Sequence, residues 1–195
     1  MAASRHDGHA GPPTRPDYQE LLAFWFSEAM RKRWFDSTPE LDRTIRERFE
    51  PLWQRARAGE LEAWLDSPDG ALALVIVLDQ LPLNMYRGRP EAYASGEQAV
   101  AAAQRALALG HDRHVPADRL AFLFLPFMHS EDPAEQDRSV ALFRAAGLTG
   151  HLYWAEHHRD IVRRFGRFPH RNAALGREST AAELAYLASD QAFKG

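Results

Sequence analysis

The stretch from 71 to 93, ALALVIVLDQLPLNMYRGRPEAY, limits the possible folds of the chain more than any other segment. It begins with eight apolar residues and then turns polar at Asp79 and Gln80. A helix that crosses a bilayer needs about 20 apolar residues, so this run is too short to be one. A segment that is apolar on every side is instead buried in a protein core. We therefore predict a central buried helix over Ala71–Leu81, with polar groups delivered at the edge of the core.

Composition restricts the kinds of protein that this chain can be. Its 195 residues are 45% hydrophobic and 26% charged, which is typical of a globular domain with its own core. The formal net charge of −3 gives no general reason to expect nucleic acid or an anionic membrane as a partner. The chain contains no cysteine, so disulfides, thiolate catalysis and cysteine-bound metals are excluded. These features fit a cytoplasmic protein, which is the location that we predict.

The N-terminal segment differs in composition from the rest of the chain. Residues 1–16 are rich in Gly, Pro, His and Ala and lack the apolar stretch of a signal peptide. We predict that residues 1–16 form a flexible tail, and we do not count His6 and His9 as ligands. Residues 17–195 are predicted to form a single all-helical domain.

Capping residues, glycines and apolar spacing predict helices throughout this domain. Capping boxes are predicted at Asp17 with Glu20, at Ser95 with Gln98 and at Thr180 with Glu183. The predicted helices cover residues 17–30, 39–58, 71–81, 96–109, 116–128, 133–146, 148–165 and 180–188, with a short helical turn at 61–65.

The central helix contains the one ambiguous segment. The β-branched run Val75–Val77 would also suit a strand, but no partner strand is visible elsewhere in the sequence. Because the loops between the helices are short, neighbouring helices should be antiparallel. The predicted fold class is therefore all-α, with antiparallel helix pairs in a tetratricopeptide-like superhelix or right-angled helical bundle.

Four polar clusters interrupt the apolar helices and are the candidates for a functional site. Polar groups at the edge of a core are either paired structural groups or the start of a site. The clusters are Asp79, Gln80, Asn84, Tyr86 and Arg87 at the end of the central helix; His129, Ser130, Glu131 and Asp132 at a helix junction; Glu156, His157, His158 and Asp160 on the long helix; and Arg167, His170, Arg171, Asn172 and Arg177 after it.

The first two clusters each have two interpretations. Asp79 and Arg87 either pair with each other or the nearby backbone, or act as an acid–base group and an anion clamp. Asp132 is either only the cap of the next helix, with His129 satisfied at the junction, or a free carboxylate. In the second case the two residues face a pocket as an acid–base pair or as metal ligands.

The third cluster depends on the packing of the long helix. Trp154, Ile161 and Phe165 are predicted to mark its buried face, and His158 lies on that face. A lone His on an apolar face is usually a core residue, so His158 gains a function only where it meets the first two clusters. No spacing in the sequence matches a metal-binding motif, and we predict no metal site.

The fourth cluster is strongly basic. Six arginines and a single acid, Asp160, lie between Arg159 and Arg177. Guanidinium groups bind carboxylates or phosphates in a forked geometry, which suits a small anionic ligand. The interleaved Phe165 and Phe168 also raise single-stranded nucleic acid as a partner. The acids at 131–137 can neutralise this segment within the protein, so nucleic acid is not expected.

Several strings of the chain resemble a known family. They are LLAFWFSE, RWFDS, LDQLPLNMYRG, FMHSEDPAEQ and FGRFPHRNAALGREST, and they lie between Tyr18 and Leu187. These strings are similar to domain of unknown function 924, an uncharacterised and mainly bacterial family. The resemblance implies an all-α superhelix similar to tetratricopeptide folds, and it implies no activity. The family usually has a basic residue where this chain has Leu83; if that side chain helps to hold an anion, this member should hold it less well.

These observations lead to one functional hypothesis and one alternative. The helix junctions are predicted to converge on a cavity that binds a small anionic metabolite and transforms it by acid–base chemistry. The alternative is a tetratricopeptide-like scaffold whose concave surface binds a protein partner, with polar groups that only lock helix junctions. The sequence does not define a cofactor. The acid–base candidates are Asp79, His129 and His158, which should share the cavity with at least one of Arg87, His170 and Arg171; the ligand-binding candidates are Asn84, Arg87, Glu131, Asp132, His170, Arg171 and Asn172.

Overall fold

The structure, a computed structural model, describes residues 18–193. The tail predicted at 1–16 and the capping residue Asp17 lie outside the described residues. About 70% of the described residues are helical, and this part of the chain contains no strand. The predicted all-α class is therefore confirmed, and the ambiguous run Val75–Val77 is helical. The tetratricopeptide-like stacking of the helices stays a prediction.

The helices follow the predicted order along the chain. They are α1 (Tyr18–Trp25), α2 (Glu28–Arg31), α3 (Pro39–Arg57), α4 (Pro68–Val75), α5 (Leu81–Met85), α6 (Gly96–Ala108), α7 (Leu120–His129), α8 (Pro133–Ala145), α9 (Thr149–Phe165) and α10 (Ala181–Leu187). Single 3₁₀ turns lie at Glu62–Asp66, Pro90–Tyr93, His111–Arg113 and Pro169–Arg171.

Side-chain caps explain where several helices begin. The Thr38 hydroxyl accepts a hydrogen bond from the Leu41 amide, with Pro39 at the first position of α3. Thr180 and Glu183 form the predicted capping box of α10. Gly166 ends α9 in the left-handed region, with φ of 72°, which favours glycine.

Two predicted helix boundaries and one predicted capping box were wrong. The first helix ends at Trp25, and the Ser27 hydroxyl then accepts from the Met30 amide to start α2. Residues 116–119 form a separate turn, in which the Arg119 amide donates to the Pro116 carbonyl, so α7 begins at Leu120. Ser95 makes no capping bond to α6.

The central helix widens into a π-helical turn at Ile76–Gln80, between α4 and α5. The Leu81 amide donates to the Ile76 carbonyl, five residues back. Pro82 explains the widening, because it has no N–H and its ring clashes with the carbonyl four residues earlier. That carbonyl, of Leu78, accepts a hydrogen bond of 2.6 Å from the Ser95 hydroxyl instead. The π turn therefore sets the direction of the next side chains, Asp79 and Gln80.

The main core surrounds this central helix. α4 packs against α1, α6 and α7, α5 packs against α3, and α8 packs against both α7 and α9. A smaller cluster, formed by Ile161, Val162, Phe168 and Tyr186, joins the end of α9 to α10. Within the described range, no helix has the length and apolar character that a membrane span requires.

The buried face of α9 differs from the predicted one. Ile161 is buried as expected, but Trp154 is 48% exposed and Phe165 is only half-buried. His158 is buried as predicted, and Ala155 and Val162 share its face in place of Trp154 and Phe165. Successive residues of a helix are rotated by about 100°, so burying Ala155 turns Trp154 toward solvent.

Candidate functional site

Asp79 and His129 form a close pair between the central helix and the end of α7. The Nδ1 atom of His129 lies 3.0 Å from Oδ1 and 2.9 Å from Oδ2 of Asp79. A carboxylate only accepts hydrogen bonds, so the ring proton of His129 lies on Nδ1 and the Nε2 atom is left for another partner. Asp79 is buried and also accepts a hydrogen bond of 2.6 Å from the Gln80 amide group.

His158 lies beside this pair on the buried face of α9. The ring centroids of His158 and His129 are 6.4 Å apart. Nδ1 of His158 donates to the Trp154 carbonyl at 2.8 Å, which leaves its Nε2 as an acceptor. Burial, together with repulsion from His129, lowers the pKa of His158 to about 3. His158 is therefore neutral at physiological pH.

Arg171 brings a positive charge to the same place. Its Nη2 atom donates to the His129 carbonyl at 2.9 Å, and its guanidinium group stacks on the rings of Tyr93 and Phe168. Its Nε atom is buried and has no hydrogen-bond partner among the described residues. Burial lowers the pKa of Arg171, against the opposing effect of the Glu131 carboxylate. A cationic donor with an unused N–H is suited to hold an anion.

Glu131 anchors the segment that carries Arg171. Its carboxylate accepts hydrogen bonds from both terminal nitrogens of Arg177 and from the Phe168 amide, at 2.7 to 2.9 Å. Burial alone would raise the pKa of Glu131, but these hydrogen bonds outweigh it and the pKa is lowered. Glu131 is thus ionised and serves mainly to fold residues 168–177 back over α7.

His170 and Asn172 lie in this folded-back segment. The Nδ1 atom of His170 and the Oδ1 atom of Asn172 are buried without a hydrogen-bond partner in the described structure. Burial, with repulsion from Arg171, lowers the pKa of His170 to about 3. The amide nitrogen of Asn172 donates to the Ser179 hydroxyl at 3.0 Å. The segment therefore adds a neutral imidazole close to the Asp79–His129 pair.

Comparison with known proteins identifies the family. The sequence profile of a family described as bacterial protein of unknown function, DUF924, matches residues 21–191. The chain belongs to the DUF924 family. A solved structure of a protein of unknown function from Agrobacterium tumefaciens is similar to this chain: the two are 41% identical, with a TM-score of 0.81, over 88% of this chain and 99% of that one. No curated protein matches the chain significantly.

Two of the predicted ligand-binding residues of this DUF924 chain lie in a different group. Asn84 and Arg87 both bind the carboxylate of Asp42 on α3, at 2.9 and 3.0 Å. The suggested pairing of Asp79 with Arg87 is therefore wrong. The π turn directs Asp79 toward α7, whereas Asn84 in α5 and Arg87 just after it reach Asp42 on α3.

Asp132 has the structural role that the sequence left open. Its Oδ1 atom accepts a hydrogen bond of 2.7 Å from the Ala134 amide, and the residue is exposed as the N-cap of α8. Among residues 18–193, no three His, Asp or Glu side chains are arranged to hold a metal ion.

The structure brings together Asp79, His129, His158, His170 and Arg171. The cavity that they are predicted to share stays a prediction.

A surface depression lies in another part of the molecule. It has a volume of about 400 Å³ and is lined by Leu22, Ala23, Phe26 and Arg119, among others. None of the candidate residues lines it. The depression is therefore not part of the candidate site.

Gln136 is a site residue that the sequence did not reveal. It is fully buried on α8, and its amide nitrogen donates to the carbonyls of Met128 and Ser130 at 2.7 and 2.6 Å. The carbonyl of His129, between these two, accepts a hydrogen bond from Arg171. Side chains therefore bind three successive carbonyls at the end of α7. This fixes the backbone that carries the His129 ring. The available signal was a glutamine on the inward face of α8, four residues after the cap Asp132.

Proposed function

We propose that this DUF924 protein binds a small anionic metabolite at the Asp79–His129 pair and transforms it by acid–base chemistry. The observation that carries the proposal is the contact of His129 Nδ1 with both oxygens of Asp79. That contact holds the ring in one tautomer and leaves Nε2 as a proton acceptor. Arg171, which holds the backbone of His129, supplies the positive charge for the anion.

Each residue of the cluster has a distinct role in this proposal. His129 removes a proton from the ligand through Nε2 and later returns it. Asp79 is a positioning residue, because it orients the ring and stabilises the imidazolium that forms. His158 is neutral and accepts a hydrogen bond from a hydroxyl or amine of the ligand. Arg171 binds the carboxylate or phosphate of the ligand with the unused N–H of Nε.

An interaction scaffold is the second candidate function. It is favoured by one surface feature, the adjacent aromatic residues Tyr153 and Trp154 on α9, which are both exposed. Large exposed aromatic side chains are enriched where proteins bind one another. On this alternative, the polar contacts around His129 only stabilise the junction between α7 and α8.

A thermal-shift screen separates the two candidates. The protein is heated with phosphate, nucleotides and small carboxylates, and we expect at least one of these to raise the melting temperature. A ligand present at 100 times its dissociation constant should raise it by about 5–10 °C in a chain of this size. The rise should vanish in His129→Gln and His158→Gln, while both variants still unfold cooperatively.

His114→Gln is the matched control, because His114 is exposed and lies outside the cluster. It should keep the full ligand effect, as should Arg87→Gln, which removes the ion pair with Asp42. The proposal is contradicted if the two cluster variants keep the ligand effect. It is also contradicted if they only lower the melting temperature and no compound stabilises the unmodified protein.

A further inference from the structure

The aromatic ring of Phe193 lies directly against the histidine cluster. Its centroid is 4.4 Å from the ring of His158, 5.1 Å from that of His170 and 6.2 Å from that of Trp154. Phe168 contacts both imidazoles as well, at 5.4 and 5.6 Å. Planar groups therefore surround the Phe193 ring on several sides. This is the geometry of a site that accepts a ring, and offset or edge-to-face contacts of this kind favour aromatic occupants.

Within residues 18–193, the segment that carries Phe193 is hydrogen-bonded to the rest of the fold through one residue, Tyr186. Residues 189–193 follow the end of α10, where the Phe193 amide donates to the Tyr186 hydroxyl at 2.9 Å and the Ser189 hydroxyl donates to the Tyr186 carbonyl at 2.7 Å. Beside these rings, the partly buried Phe193 side chain also packs against the smaller core cluster. A segment with few hydrogen bonds to the rest of the fold opens at low free-energy cost.

The other walls of His158 are fixed much more firmly. Phe168 is fully buried, and its amide is bound by the carboxylate of Glu131. His129 is held through its side chain by Asp79 and through its carbonyl by Arg171. Of these neighbours of His158, Phe193 is therefore the one that is displaced most easily.

We propose that Phe193 is a built-in occupant of a ring-binding subsite, and that it leaves when an anion carrying a planar ring binds. The ring of the ligand replaces the Phe193 ring beside His158 and His170, and its carboxylate or phosphate binds Arg171. This inference rests on the proposed function, because it names the class of ligand that binds at the same site. The exchange itself is a property of the fold and is measured without any reaction.

Chemical modification of the histidines with diethyl pyrocarbonate tests the exchange. The reagent modifies accessible neutral imidazoles, and mass spectrometry with fragment ions locates each modified residue. In the intact protein, His158 and His170 should react slowly. In Phe193→Ala they should react about tenfold faster, because the neighbour that is displaced most easily has been removed. Phe35→Ala is the matched control, since Phe35 is 74% exposed, and it should leave both rates unchanged.

Two carboxylates then test the class of ligand. Benzoate and acetate carry the same anionic group, but only benzoate has a planar ring. Benzoate at millimolar concentration should slow the modification of His158 in Phe193→Ala about tenfold, and acetate should slow it less than twofold. The protection by benzoate should be lost when Arg171→Gln is added.

Several outcomes would overturn the proposal. Rates in Phe193→Ala within twofold of those in the intact protein would show that the ring does not close the site. If benzoate and acetate slow the modification equally, the site does not recognise a planar ring. If Phe193→Ala does not fold, Tyr186→Phe removes only the hydroxyl that holds the Phe193 amide. Unchanged modification rates of His158 and His170 in that variant would also reject the exchange. If the modification experiments give the expected rates but no compound raises the melting temperature, the acid–base function is rejected and the ring exchange is not.

Discussion

Lowering the pH from 7 to 4.5 should reduce the free energy of unfolding by about 5 kcal/mol through His158 and His170 alone. Burial lowers the pKa of both residues to about 3, against 6.5 for a free imidazole. Below pH 6.5 the unfolded chain takes up a proton at each histidine, whereas the folded protein does not until the pH approaches 3. The stabilisation by each neutral imidazole is thus complete above pH 6.5 and is lost as the pH falls toward 3.

Urea denaturation at pH 7, 5.5 and 4.5 measures this loss. Carboxylates with lowered pKa, such as Glu131 and Glu183, also destabilise the folded protein in acid, so the comparison is made between variants. His158→Gln should lose about 3 kcal/mol less than the unchanged protein over this range, because one of the two proton uptakes is removed. His114→Gln should behave like the unchanged protein. Identical pH profiles for His158→Gln and the unchanged protein would show that His158 is not buried as a neutral group.

Truncation of the core should have the other large effect. Ile76 lies in the π turn and Leu123 in the middle of α7, and both are fully buried in the main core. Replacing either with Ala should lower the free energy of unfolding by about 2–5 kcal/mol, because the transfer energy is lost and a cavity remains. Denaturant titration of each variant measures the change.

Leu109→Ala is the matched control for the core variants. Leu109 is 44% exposed after the end of α6, so the same substitution should cost less than about 0.5 kcal/mol. A loss below about 1 kcal/mol at Ile76 or Leu123 would place that residue outside the core.

Much of the fold could be predicted from local sequence. Thr38 with Pro39, and Thr180 with Glu183, start helices through hydrogen bonds that are local to each cap, so the sequence was sufficient there. The run Val75–Val77 was predicted to be helical for want of a strand partner, and it is helical. The π turn could not be predicted, since the displaced Leu78 carbonyl is satisfied by Ser95 from another helix.

The candidate site was only partly accessible from the sequence. The convergence of Asp79 with His129 follows from polar residues at the ends of two apolar helices, which could be recognised. The partner of Arg87 could not, because Asp42 is 45 residues away in the chain and its approach depends on the packing of α5 against α3. Phe193 was missed for a similar reason: nothing local indicates that a residue after the last helix returns to His158.

The nitrogen chemical shifts of the histidine rings, followed by NMR during titration with phosphate and with benzoate, test the central claim most directly. Before any addition, the neutral ring of His129 should carry its proton on Nδ1. One or both anions should then shift the Nε2 signal of His129 and the signals of His158 in a saturable way, while His114 stays unchanged, and Arg171→Gln should abolish the shifts. A His129 ring protonated only on Nε2 would contradict the account. So would signals of the cluster that neither anion shifts at a concentration about 100 times a millimolar dissociation constant.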